Sequence, residues 1–189
     1  VIVDDAHATG IIGTKGRGTA DHFNVKVDVT IGTLSKAVGV EGGFATGRQE
    51  IIDFLRNRAR SFIFQTALPP SMIAAALTSF EIIENQLELV EQLRERIVQL
   101  RHGLMSAGFS IIGDDLIPII PVMIGEADRA VAFSKALEQE GIFAPAIRPP
   151  TVPMGQSRIR LTVMATHTKE EVENVCQMFR QTGKNLGVI

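Results

Sequence analysis

Three groups of residues in this chain could do chemistry. Asp4-Asp5-Ala6-His7 closes the opening apolar stretch, Lys36 stands within Gly32-Thr33-Leu34-Ser35-Lys36-Ala37, and Arg148, Arg158 and Arg160 lie toward the other end. The carboxylates and histidine admit three readings: a metal site, an acid/base pair, or the satisfied polar end of a buried strand. A metal needs a third and usually a fourth ligand. The remaining histidines, His22, His102 and His167, fall in an exposed-looking loop, a helix and a cap region, so no metal is expected.

The Lys36 segment is not a phosphate-cradling P-loop, because no glycine directly precedes the lysine. By itself such a lysine reads as solvated. Together with Asp4 and the hydroxyls beside it, Lys36 completes the protein's share of a pyridoxal phosphate site. A carboxylate paired with the pyridine nitrogen keeps that nitrogen protonated, so the ring can accept electrons from a carbanion. A histidine such as His7 can donate to the ring's phenolate oxygen. The lysine can hold the aldehyde as a Schiff base and then move a proton, and Thr33, three residues earlier, can reach the phosphate.

These groups must be positioned by a sheet. Ile2 and Val3 lead into Asp4, and Val25–Ile31 is β-branched and ends at Gly32, so both read as interior strands. A strand end is where α/β sheets present ligand-binding groups. Gly42–Gly47 reads as a third strand and Ser61–Gln65 as a fourth, with a helix over Glu50–Ala59 before it. Pro69-Pro70 opens a long helical stretch, since proline is tolerated in a first turn. Val90, Leu93, Ile97, Leu100 and Leu104 recur at spacings of three and four, one face of a long helix that Gly108 closes. Beyond it, strand-like and helical segments alternate: Leu116–Gly125, Asp128–Gly141, Ile142–Ile147, the loop Arg148–Gln156, Ser157–Met164 and a last helix. Thr168 and Glu171 are spaced as that helix's capping box, and Val172, Val175, Cys176 and Phe179 share its apolar face. Alternation of this kind argues for an α/β fold, with the long helix bridging a large and a small domain.

Composition narrows the function classes. The 189 residues carry a net charge of -2 and no Trp or Tyr, which leaves neither a basic stripe nor stacking platforms for nucleic acid. No apolar run spans a bilayer. The single cysteine, Cys176, cannot form an internal disulfide and is expected in the core; the expected location is cytoplasmic. The chain starts with Val rather than Met and enters at once on a strand, so a preceding N-terminal portion is expected.

In order, the segments DDAHATG, GRGTADHF, GTLSKAVGVEGGFATG, FIFQTALPP and RPPTVPMGQSRIRLTVMATHT resemble the α-oxoamine synthases, pyridoxal phosphate enzymes of fold type I that condense an amino acid with an acyl-CoA and release carbon dioxide. The resemblance runs through essentially the whole chain. It implies an aspartate aminotransferase-like fold: residues 1–86 the C-terminal part of the cofactor-binding large domain, 87–107 the connecting long helix, and 108–189 the small C-terminal domain. Asp4 would pair the pyridine nitrogen, His7 the phenolate oxygen and Thr33 the phosphate. Lys36 would be the Schiff-base lysine. Thr66 would reach the phosphate of the neighbouring subunit, making a homodimer with shared active sites. Arg160 matches the arginine that grips the substrate carboxylate, and Arg148 a second one near the entrance. Arg158 alternates with Arg160 and points the same way, so the pattern alone does not choose between them. Asp5, on the other side of its strand, is expected to be structural. The tail AIRPPTVP is most like the branch that uses L-alanine and pimeloyl-CoA in biotin biosynthesis, while a branch using glycine and acetyl-CoA shares much of DDAHATG and GTLSKA. A non-catalytic partner subunit of this fold would have no need of Lys36. The parts of the family that hold the rest of the cofactor phosphate and most of the acyl-CoA would precede Val1.

Overall fold

The computed structural model describes all 189 residues, which form two units, Val1–Val90 and Glu91–Ile189. No helix is long and apolar enough to cross a membrane.

In the first unit, β1 (Ile2–Asp4) runs parallel to β2 (Val29–Thr33), and β3 (Gly43–Gly47) returns antiparallel on the other side of β2. A helical turn, α1 (Thr19–His22), lies between β1 and β2. His22 is thus the exposed last residue of this turn, not part of an irregular loop. The second strand starts at Val29 rather than Val25, because Ile2 pairs with Val29 and the residues before Val29 find no strand partner. After β3 come α2 (Gln49–Arg58), α3 (Arg60–Ile63) and α4 (Pro70–Asn85).

The strand expected over Ser61–Gln65 is instead the turn α3. Its β-like composition lacks a partner strand, and its amides are satisfied locally. Phe62 and Ile63 N–H both donate to the Ala59 carbonyl at 3.0 Å, and Phe64 N–H donates to that of Arg60 at 3.1 Å. The Arg60 guanidinium lies 5.9 Å from the Phe64 ring centroid, an arrangement that favours the turn. Leu34, Val38 and Ala76 form the buried centre of this unit, with Val40, Phe44, Leu68, Phe80 and Ile83 packed around them.

The helical stretch opened by Pro70 breaks at Gln86 (φ −112°, ψ 72°), and α5 (Leu87–Ser106) follows. All five residues of its expected apolar face are buried, Ile97 and Leu104 completely. Burial of each such side chain contributes about 1.5–3 kcal/mol. The second unit continues with β4 (Ile119–Gly125), α6 (Ala127–Gln139), β5 (Ala146–Ile147), β6 (Ser157–Thr162) and α7 (Lys169–Asn185). Its antiparallel sheet has the order β4-β6-β5. One face is buried through Ile120, Val122, Ile159 and Leu161, and the rings of Phe109, Phe133 and Phe179 meet in the same core.

Both halves of the α7 capping box are made: Glu171 N–H donates to Thr168 Oγ1 at 3.1 Å, and Thr168 N–H to Glu171 Oε2 at 2.7 Å. The Thr168 N–H, and after it the Thr168 hydroxyl, hold the Glu171 carboxyl below its ordinary pKa. Where α7 crosses α5, Gly103 leaves room for Cys176, whose Cβ would lie 3.3 Å from a Cβ added at that glycine. Burial pushes the Cys176 thiol up to about 11.

Candidate active site

The register of the first sheet decides which side chains meet. Asp4 lies beside Ile31, Ile31 opposite Ala45, and Thr33 opposite Gly43. Side chains alternate between faces, so Asp4, Ile31, Thr33 and Ala45 share one face. The other face carries Val3, Thr30, Gly32, Phe44 and Thr46. Phe44 lies over Gly32, where an added Cβ would fall 2.5 Å from its Cε1 and 2.9 Å from its Cε2. That second face is partly covered from α4, whose Phe80 ring meets Phe44 edge-on at 5.9 Å, and Thr46 stays exposed at its margin. The Asp4 face stays open in this chain: Asp4 is exposed and Ile31 is 41% exposed.

Local bonds aim the residues on that face. Asp4 Oδ1 accepts the Ala6 N–H at 2.9 Å, an Asx turn that carries the chain into His7. The Asp5 carbonyl then accepts the Ala8 and Thr9 N–H groups, both at 2.9 Å, which leaves the exposed His7 at the head of a closed turn. Lys36 is presented differently. Leu34 and Val38 are buried on either side of it, so the lysine between them must face outward. The turn closes through Leu34 N–H to Gly42 O and Val40 N–H to Leu34 O, both 2.9 Å. The Lys36 ammonium forms no ion pair within the chain.

Thr33 is tied in beside it. Its hydroxyl donates to the Gly42 carbonyl at 3.2 Å, accepts the Ser35 N–H at 3.3 Å and lies 2.8 Å from Ser35 Oγ. With the Thr33 proton on Gly42, the Ser35 hydroxyl is the donor to Thr33. Sequence reasoning did not single out Ser35, although a hydroxyl two residues after a threonine is the spacing of such local turns. Thr66 is exposed in the segment before α4. Two residues on, Leu68 packs against the Lys36 turn, 2.8 Å from where a Cβ on Gly42 would sit.

The arginines belong to the second unit. Arg158 and Arg160 alternate on β6 with the buried Ser157, Ile159 and Leu161, so both lie on the face away from the core. They differ in engagement. Arg158 Nε donates to the Gln156 carbonyl at 3.0 Å, whereas the exposed Arg160 guanidinium has no partner in the chain. Arg148 is also exposed, directly before the cis Pro149–Pro150 peptide. Arg101 serves structure instead. Buried on α5, it donates from Nη2 to Gly113 O at 2.7 Å and pairs through Nε with Asp115 at 2.6 Å. No three of the His, Cys, Asp and Glu side chains gather as a metal site.

Comparison with known proteins gives one consistent picture. The family model for class I and II aminotransferases matches residues 1–179. Over the whole chain, identity is 50% to a putative 8-amino-7-oxononanoate synthase of Acetivibrio thermocellus and 51% to 8-amino-7-oxononanoate synthase 2 of Bacillus subtilis strain 168. The chain spans about half the length of the curated relatives it matches, 49% and 48% of these two. A structure of SPT with a PLP internal aldimine superposes on all of this chain, and on 48% of its own, with a TM-score of 0.96 at 33% identity. An 8-amino-7-oxononanoate synthase from Francisella tularensis superposes on 97% of the chain and 55% of its own at TM-score 0.86 and 26% identity.

Proposed function

Because this chain belongs to the class I and II aminotransferase family, with the fold of type I pyridoxal phosphate enzymes, we propose that it carries the reacting lysine of an 8-amino-7-oxononanoate synthase. That enzyme would condense L-alanine with pimeloyl-CoA in the cytoplasm, giving 8-amino-7-oxononanoate, CoA and carbon dioxide for biotin synthesis. The observation that carries the reading is the open sheet face that Asp4 and Thr33 share at the strand end leading to Lys36. Identity near 50% along the whole chain supports the choice within the family.

The residues present suit pyridoxal 5'-phosphate. Lys36 offers an amine free of ion pairs, Asp4 a carboxylate with only Oδ1 engaged, and Thr33 a hydroxyl already fed by Ser35. When bound, the cofactor supplies a protonated ring that withdraws electrons from the carbon next to the substrate nitrogen. Asp4 then holds the proton on the ring nitrogen by charge pairing, and His7 donates to the ring's phenolate oxygen. Thr33 turns its proton from Gly42 to the phosphate while accepting from Ser35. Lys36 takes the α-proton of alanine and returns a proton after carbon dioxide leaves. Arg160, with its unengaged fork of donors, grips the alanine carboxylate; Arg148 stands nearer the entrance.

Thr66 reaches the cofactor phosphate of a partner subunit in this reading, which makes the enzyme a homodimer with shared sites. The exposed side chains of Phe54, Phe62, Phe64, Ile73 and Leu77 offer the apolar surface such an assembly uses. Two experiments on the full-length protein test the proposal. Borohydride reduction is expected to fix the pyridoxyl group on the peptide containing Lys36, and label on another lysine would sink the assignment. CoA release with alanine, glycine or serine against pimeloyl-CoA, acetyl-CoA and palmitoyl-CoA should be fastest for alanine with pimeloyl-CoA. Preference for glycine with acetyl-CoA, or serine with palmitoyl-CoA, would move the enzyme to another branch.

A further inference from the structure

We propose that Asp5 is a positioning residue, a buried clamp that fixes Asp4 and His7 by tying the end of β1 to the start of α1. This rests on the function proposed above, since it concerns how the same site is held. Asp5 is 1% exposed, and all its polar groups are engaged. Its N–H donates to Ile31 O at 2.7 Å, which locks the end of β1 to β2. Its carbonyl accepts Ala8 and Thr9 N–H and the Thr9 hydroxyl, the last at 3.0 Å. Its carboxylate reaches across fourteen residues of sequence to the Thr19 N–H, 3.1 Å from Oδ2 and 3.3 Å from Oδ1.

The neighbours that would do the chemistry are held far less firmly. Asp4 has one backbone donor on its carboxylate, and the His7 ring has no partner in the chain. Their placement therefore follows the backbone of residues 4–8, which Asp5 fixes from both sides. The loop that the clamp closes needs such ties. Gly10, Gly13, Gly16 and Gly18 all adopt positive φ, as does Lys15, a conformation costly to hold against the unfolded chain. Gly18 is shaped to the clamp as well: at φ +99°, a Cβ there would lie 3.0 Å from Asp5 Cγ and closer still to Oδ2. A second carboxylate, Asp21, accepts the Thr14 N–H at 2.6 Å inside the same loop. Asp5 alone joins the loop to the strand that carries Asp4.

The test uses the full-length protein with Asp5→Ala and Asp5→Asn. Three quantities are read: the dissociation constant for pyridoxal 5'-phosphate, the pH midpoint of the bound cofactor's absorption, and hydrogen exchange over residues 8–20 in cofactor-free protein. Asp5→Ala is expected to raise the dissociation constant about tenfold or more, as loss of a charged hydrogen bond would. It should also move the midpoint and speed exchange at temperatures where the protein stays folded. Asp5→Asn keeps an acceptor for Thr19 and should stay within about threefold of wild type. A folded Asp5→Ala protein with wild-type affinity and midpoint would overturn the proposal, and so would Asp5→Asn as impaired as Asp5→Ala. If Asp5→Ala does not fold, Asp5→Asn decides: affinity, exchange and midpoint near wild type uphold the clamp, a loss of affinity beyond about threefold overturns it, and faster exchange with an unmoved midpoint marks a merely structural role. A wild-type protein that takes up no pyridoxal 5'-phosphate refutes the functional reading instead, which keeps the two failures apart.

Discussion

Gly32 offers a sharp test of how the site is built. It precedes Thr33 on β2, and the Phe44 ring occupies the space a side chain would need, with Cε1 2.5 Å and Cε2 2.9 Å from an added Cβ. Gly32→Ala must therefore push Phe44 away or lift β2. Overpacking of this kind costs about 1–3 kcal/mol, and loss of the edge-on Phe44–Phe80 contact adds about 0.5–1.5 kcal/mol. A total of about 1.5–4.5 kcal/mol is expected, together with weaker cofactor binding, because the displacement falls one residue before Thr33. Phe44→Leu alone should cost roughly 1 kcal/mol. The double variant relieves the clash, so it should be less destabilised than the sum of the two by at least about 1 kcal/mol. Urea unfolding of the four full-length proteins supplies the cycle. A Gly32→Ala cost below about 0.5 kcal/mol, or strict additivity with Phe44→Leu, would refute the packing account.

If Arg160 grips the substrate carboxylate as proposed, Arg160→Leu should raise the KM for the amino acid roughly a hundredfold and leave that for the acyl-CoA nearly unchanged, since a bidentate contact would be lost. Arg158→Leu should do much less, because the Arg158 side chain is already engaged by Gln156; steady-state kinetics that find the two equal would remove the distinction. The Cys176 thiol, raised from about 9 to about 11 by burial, should alkylate at pH 8 roughly two orders of magnitude more slowly than in unfolded protein. Because the folded state holds this proton more tightly, its contribution to stability is complete below pH 9 and is lost as the pH rises through about 11. Alkylation at the unfolded rate under native conditions would show the thiol to be exposed.

Much of this protein can be read along the chain because the relevant forces are local or periodic. The spacing of Val90, Leu93, Ile97, Leu100 and Leu104 defines a buried helix face, and Thr168 with Glu171 defines a helix start; both arise from contacts within a turn or two. The order of Asp4, His7, Thr33 and Lys36 was likewise visible, as was the reason those residue types suit one cofactor. What local patterns could not supply was pairing. Ser61–Gln65 has strand composition, but β structure needs a partner, and without one its amides close into a turn. Register across three strands decided that Asp4 and Thr33 share the open face, and packing of Leu34 and Val38 decided that Lys36 faces outward. Arg160 and Arg158 are equivalent by alternation, and the folded chain tells them apart: Arg158 is half-buried and engaged by the Gln156 carbonyl, Arg160 exposed. Asp5 shows the same limit most clearly. Its neighbour Asp4 announces itself by type and position, whereas its bond to Thr19 spans a loop of left-handed glycines that has no meaning until the chain is folded.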